Sequence, residues 1–135
     1  MGLTAADLKE LAHDFLDVAQ ALSDYRTAHP ISDPLQRNDF NAAFSQIVAT
    51  ADNLENQAVS AALAAITTSA QALKVGVQSA AAAVKKIAEV TSVLKIVTAA
   101  VGLGTAILSP TPPGVASALG NLVQAIHPEG TGPDD

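Results

Sequence analysis

Within the stretch HDFLD, His13, Asp14 and Asp17 come nearer than any other residues of this 135-residue chain to a chemically useful spacing. His13 and Asp17 stand at i and i+4, so on a helix an imidazole and a carboxylate lie one turn apart on the same face. Such a pair can hold a metal ion or orient the imidazole through the carboxylate, and Asp14 is adjacent. No third ligand is suggested from elsewhere in the chain, so the expectation is a surface His–carboxylate pair and no metal site. His29 and His127 each precede a proline at the end of a helical stretch. A cation suits the negative end of the helix dipole there, and capping is the expected role.

Other patterns lack the partners their chemistry needs. GLGTA at 102–106 has no strand before it, no third glycine and no following Lys-Ser/Thr pair, so it is not a phosphate loop. SPTPP at 109–113 reads as a rigid turn between apolar arms rather than a polyproline ligand. Glu55 and Glu89 are too isolated for a carboxylate pair or a Glu-x-x-His di-metal motif. No nucleophile-and-base pattern is present, and the absence of cysteine removes disulfides, Cys-based zinc sites and thiol nucleophiles together. The chain is therefore read as non-enzymatic, with no catalytic or cofactor-binding residues, no cofactor and no small-molecule substrate.

The composition then asks what kind of core such a chain builds. Apolar residues make up 49% and charged residues 15%, which argues against a disordered chain. Much of the apolar content is alanine, and the aromatics are Phe15, Phe40, Phe44 and Tyr25. Alanine lets helices approach closely but buries little area per residue, so stability calls for length or oligomerisation. The formal charge of −6 removes a general nucleic-acid footprint. Residues 1–56 hold nine acidic and three basic side chains, whereas residues 57–109 hold Lys74, Lys85, Lys86 and Lys95 against Glu89. That asymmetry predicts that the two halves pack together, or else that the basic half faces anionic headgroups. MGLTAA carries Ala6 where myristoylation wants Ser or Thr, and no secretory leader is evident. Localisation stays open between the cytoplasm and export without a visible signal.

The elements that must position these residues are helices. Thr4 with Asp7 is a short-armed capping box that predicts a helix over 4–28. Leu8, Leu11, Phe15, Val18, Leu22 and Tyr25 make its apolar stripe, and His29-Pro30 ends it. HPISDPLQRND reads as a loop, with Asn38 or Asp39 as the next cap. Residues 39–108 form a long helical region, either unbroken or bent or reversed near 66–71, where ITTSAQ offers competing hydroxyls. Its stripe runs Phe40, Phe44, Ile47, Ala51, Leu54 and Ala58. After a slip it resumes as Leu63, Ile66, Ala70, Leu73, Val77, Ala80, Val84, Ile87, Thr91 and Leu94, a coiled-coil-like seam with a stutter. A short apolar helix is expected over 114–127, and 129–135 is expected to be a disordered tail.

The last third carries the sharpest question. Residues 96–126 form two apolar arms joined by a proline knuckle. Each arm as a helix is near 20 Å, short of a bilayer core of about 30 Å. Extending the first arm to Val90 places Lys95 inside it. This stretch, two Ala/Gly-rich arms with a Gly/Pro knuckle on amphipathic helices, resembles the hydrophobic head of the α-helical pore-forming toxins. The resemblance implies a soluble-to-membrane transition through exposure of the hairpin and oligomerisation.

The expectation from the residues is an all-α, up-and-down bundle of three or four helices in one domain over 1–128. Its function is interaction through apolar helix faces, by self-association into a homo-oligomer or by binding a protein partner. The alternatives are a conditionally membrane-active protein inserting the hairpin, and a peripheral coat on an apolar or lipid surface. The working surface is expected at Ile96, Val97, Val101, Leu103, Ile107, Leu108, Val115, Leu119, Leu122, Val123 and Ile126. Lys85, Lys86 and Lys95 are the flanking charges that would meet headgroups or the acidic first helix.

Overall fold

The computed structural model describes residues 3–56, 69–86, 90–108 and 112–126. Among them the chain is all-helical, with α1 (Ala5–Ala28), α2 (Pro34–Glu55), α3 (Ala70–Lys86), α4 (Val90–Leu108) and α5 (Pro112–Ile126). The start of α1 is the capping box the spacing predicts. The Asp7 amide donates to Thr4 Oγ1 at 3.1 Å and the Thr4 amide donates to Asp7 Oδ2 at 3.0 Å. At its other end the His29 amide closes on the Tyr25 carbonyl at 2.7 Å, and the His29 ring stacks on Tyr25. Thus His29 does cap α1, while His127 and the 129–135 tail lie outside the described residues.

The cap of the second helix is not Asn38 or Asp39. Asp33 Oδ1 accepts from the Leu35 amide at 2.9 Å and Pro34 occupies the first turn, so α2 begins five residues before the expected 39. Proline fits there because its missing N–H has no helical partner in any case and its φ is already helical. The same device opens α5 at Pro112, two residues ahead of the expected start at 114.

Within the long helical region expected over 39–108, the described residues form three separate helices, and five helices are described in all. At the end of α2 the Asn56 amide and its side-chain Nδ2 both donate to the Asp52 carbonyl, at 3.2 and 2.9 Å. The next described helix opens at Ser69, whose Oγ accepts from the Ala72 amide at 3.0 Å. Ser69 belongs to the ITTSAQ segment, of which 66–68 lie outside the described residues. The described part of α3 runs to Lys86 and α4 starts at Val90, with 87–89 outside the described residues. The seam accordingly changes register: Leu73, Val77, Ala80 and Val84 are buried on α3, but Thr91 is exposed and Leu94 only half-buried. On α4 the inward residues are Val93, Ile96, Val97, Ala100, Leu103 and Ile107. A helix that restarts with new neighbours takes its inward face from them, not from the phase of the preceding helix.

Packing places α1 against α2 and α3, and α4 against α2 and α5, with lighter contacts from α3 to α4 and α5. Tyr25 stacks on Phe40 while Leu16 shares a groove with Val48, so α1 and α2 run antiparallel. Asp7 meets Lys74 and Asp14 meets Gln78, so α3 runs parallel to α1. Ser92 and Lys95 lie beside Asn121 and Gln124, which sets α5 antiparallel to α4. The whole predicted stripe of α1, Leu8 through Tyr25, is buried. Full burial of each such large side chain stabilises by about 1.5–3 kcal/mol. Where α4 packs on α2, a Cβ on Gly104 would overlap the Thr50 side chain at Cγ2 and press on Phe15 Cζ. Gly102, two residues earlier, faces open space.

Candidate functional site

Three surfaces compete as the working part of the molecule, beginning with the hairpin. Of its eleven expected residues, Ile96, Val97, Leu103, Ile107, Val115 and Leu122 are fully buried within the chain. Val101, Leu108, Leu119 and Ile126 are half-buried, and Val123 alone stands out at 46% exposure. The i, i+3, i+4 spacing that made these residues conspicuous is here an inward stripe. The helix itself does extend back to Val90, and at 19 residues α4 is the one described helix long and apolar enough to cross a membrane. Lys95 sits on its exposed side, in a groove of about 370 Å³ with Ser92, Asn121 and Gln124.

The seam between α1 and α3 is polar. Lys74 reaches Asp7 Oδ1 at 3.2 Å and also pairs with Glu10. This is the one place among the described residues where an ion pair ties the basic half to acidic α1, and it uses none of the three expected lysines. Lys85 and Lys86 instead line a groove of about 380 Å³ with Asp17, Gln20 and Gln78. The Thr4 amide, and then Lys74, hold the Asp7 carboxyl below its ordinary value against the opposing effect of burial. Glu10, and then Asp7, raise the Lys74 ammonium above its ordinary value.

One turn along, the seam encloses an acid. Asp14 is 7% exposed, and Gln78 Nε2 donates to its Oδ1 at 3.4 Å. Its Oδ2 is buried without a hydrogen-bond partner. Burial is the main cause that pushes this carboxyl up; Gln78 opposes it and the neighbouring Asp17 charge adds to it. His13 Nδ1 stands 3.7 Å from Asp17 Oδ2 on the solvent side. Potential ligand atoms of His13, Asp14 and Asp17 all lie within 4.8 Å of one another. The sequence placed these residues together, but not the burial of Asp14 or its contact with Gln78, which is 64 positions away.

The third surface was missed altogether. Leu16, Phe44 and Val48 are exposed at 45%, 37% and 37%, and with Ala49, Ala51, Asp52 and Glu55 they line a groove of about 450 Å³ between α1 and α2. Phe44 falls on the predicted stripe of α2 and was expected inside. A signal was available: Phe40, Ala43, Phe44, Ile47, Val48 and Ala51 make an apolar arc wider than a single partner helix covers. No family model, no curated protein and no solved structure matches this chain. What fold and surfaces define together is the class of all-α helical proteins.

Proposed function

We propose that the chain is a non-catalytic helical interaction module that associates with further copies of itself, head to tail, through the α1–α2 groove. The observation that carries this reading is the apolar cluster of Leu16, Phe44 and Val48, left exposed while the main apolar stripes of α1, α3 and α4 are buried. Contiguous apolar surface of this kind marks interaction sites in soluble proteins. The groove wall holds Asp52 and Glu55 and no cation. The complementary surface is the outward stripe of α3: Ala72, Val75, Ser79, Ala82 and Lys86 at helical spacing, with Lys85 beside them. Val75 is a second exposed apolar anchor, and Lys85 and Lys86 form no ion pair among the described residues. The asymmetry of acidic and basic halves, only partly used inside the chain by Lys74, is thereby used between chains. The two patches differ, so the contact is heterologous and builds rings or open chains rather than a closed two-fold dimer. Within each copy, the alternation of α1 with α2, the parallel run of α3 with α1, and antiparallel α4 and α5 support an up-and-down bundle, with the hairpin as its core.

Light scattering across a dilution series tests the reading. The protein gains mass with concentration, less so at high salt, and Phe44→Asp abolishes the gain with helicity intact. Mixing a variant carrying Asp52→Lys and Glu55→Lys with one carrying Lys85→Glu and Lys86→Glu restores assembly that each lacks alone. A monomer at every concentration removes self-association.

The second reading is membrane insertion of α4–α5, supported by the length and apolarity of α4 and by the toxin-like knuckle. It requires the hairpin to leave α2 and α3, and a peripheral lipid coat would instead use the outer surface. Co-flotation with anionic and neutral liposomes, read with dye release, separates the three. Leakage supports insertion, binding without leakage supports the coat, and no binding at low or neutral pH leaves the interaction module.

A further inference from the structure

We propose that His13, Asp14 and Asp17 form a binding site for one divalent transition-metal ion of the zinc class, with Gln78 positioning the buried ligand. The spacing of His13 and Asp17 alone describes an ordinary surface pair. What alters the reading is Asp14: a carboxylate 7% exposed, with an oxygen sealed from water and given no donor. A buried ionised carboxylate with one oxygen left unbonded is expensive, and proteins meet that cost with a proton or a cation. No lysine or arginine bonds to this one; the lysine nearest in the seam, Lys74, is already engaged by Asp7 and Glu10.

The geometry suits an ion. One atom from each of the three residues lies within 4.8 Å of the other two. A bound zinc-class ion, at about 2.0–2.2 Å from each ligand, draws such atoms to roughly 3–3.5 Å apart. The adjustment falls on His13 and Asp17, whose side chains are 77% and 53% exposed and free to change rotamer. Asp14 is the fixed member, held through Oδ1 by Gln78 of α3, the outer-shell support that metal ligands use to keep their orientation. The open side toward solvent leaves room for water to complete the shell. Two carboxylates neutralise a divalent charge, and an imidazole in the set selects zinc, cobalt or nickel over magnesium and calcium. The ion would bring a cation to the Asp14 carboxylate and add a bond network across the α1–α3 seam. This inference is independent of self-association, since the α1–α2 groove contributes none of its ligands.

The test is isothermal titration of the chelator-stripped full chain with Zn²⁺, paired with the thermal midpoint with and without the ion. One equivalent binds and the midpoint rises, while Mg²⁺ at the same concentration does neither. His13→Ala and Asp17→Asn each weaken Zn²⁺ binding at least tenfold. Because both side chains are exposed, these variants keep the helicity and metal-free midpoint of the parent. Asp14→Asn also loses the ion, yet its metal-free midpoint is no lower than the parent's, because the amide removes a buried charge. Absence of Zn²⁺ binding, or binding that survives His13→Ala, overturns the site. An equal response to Mg²⁺ overturns the assignment of the metal class.

Discussion

The helices α1 and α4 each bury one stripe completely, yet they differ in what they turn outward. The outer face of α1 carries Lys9, Glu10, His13, Asp17 and Asp24, and its seam with α3 is closed by ions and amides. On its outer side α4 shows Thr91, Lys95, Thr98, Gly102 and Thr105, one charge in 19 residues. Burial therefore does not separate them; the outward faces do. A charged face ties a helix to water and to specific partners at fixed positions. A face of small, nearly uncharged residues leaves a helix compatible with both a protein core and an apolar environment.

The largest way to break the comparison is a charge in the hairpin's inward stripe. Leu122→Asp, at a fully buried position, is expected to abolish cooperative thermal unfolding, since an unpaired buried charge costs more than about 3 kcal/mol. Val123→Asp, one residue along and exposed, shifts stability by no more than about 0.5 kcal/mol. Equal effects from the two would mean that the hairpin is not packed as described.

A smaller and sharper contrast lies between two glycines of α4. Gly104→Ala forces a methyl onto Thr50, a buried β-branched side chain held by its own hydrogen bond to the Gln46 carbonyl, and costs about 1–3 kcal/mol. Gly102→Ala meets nothing and stabilises by about 0.5–1 kcal/mol through helix propensity. Chemical denaturation of both variants gives opposite signs if α4 lies against α2 as seen.

On the α1 side, Thr4→Ala removes half of the capping box and costs about 1 kcal/mol. The pH dependence has a defined sign. Asp7 titrates below its ordinary value of 3.8 in the folded chain, so it adds stability above that pH. That contribution is lost as pH falls from 3.8 through the lower folded value. Lys74 does the reverse at the other end: raised above 10.5, it adds stability below that pH and loses it as pH climbs through its folded value. Asp7→Asn is expected to flatten the acid limb of stability against pH and to weaken the alkaline one.

How much of this was visible beforehand differs by element. The cap and stripe of α1 could be read residue by residue, because both are local: a hydroxyl three positions from a carboxylate, and apolar residues at steps of three and four. The end of α2 at Asn56 was not, since it carries no proline or glycine and nothing local forbids continuation. Phe44 and Val48 show the same gap from another side. Their periodicity marks an apolar face, but only the number and position of neighbouring helices decides whether that face is covered.

The amino-acid sequence by itself determined the helical class, the ends of α1, the lack of thiol chemistry and the pairing of His13 with Asp17, all properties of residues within a few positions of one another. Tertiary structure alone decided that Lys74 rather than Lys85, Lys86 or Lys95 forms the ion pairs with α1, that the hairpin's stripe points inward, that Gly104 is pressed and Gly102 is free, and that Asp14 is buried against Gln78. The physical reason is common to these cases. Helical periodicity assigns side chains to a face, whereas desolvation, charge pairing and close approach depend on which other helix that face meets.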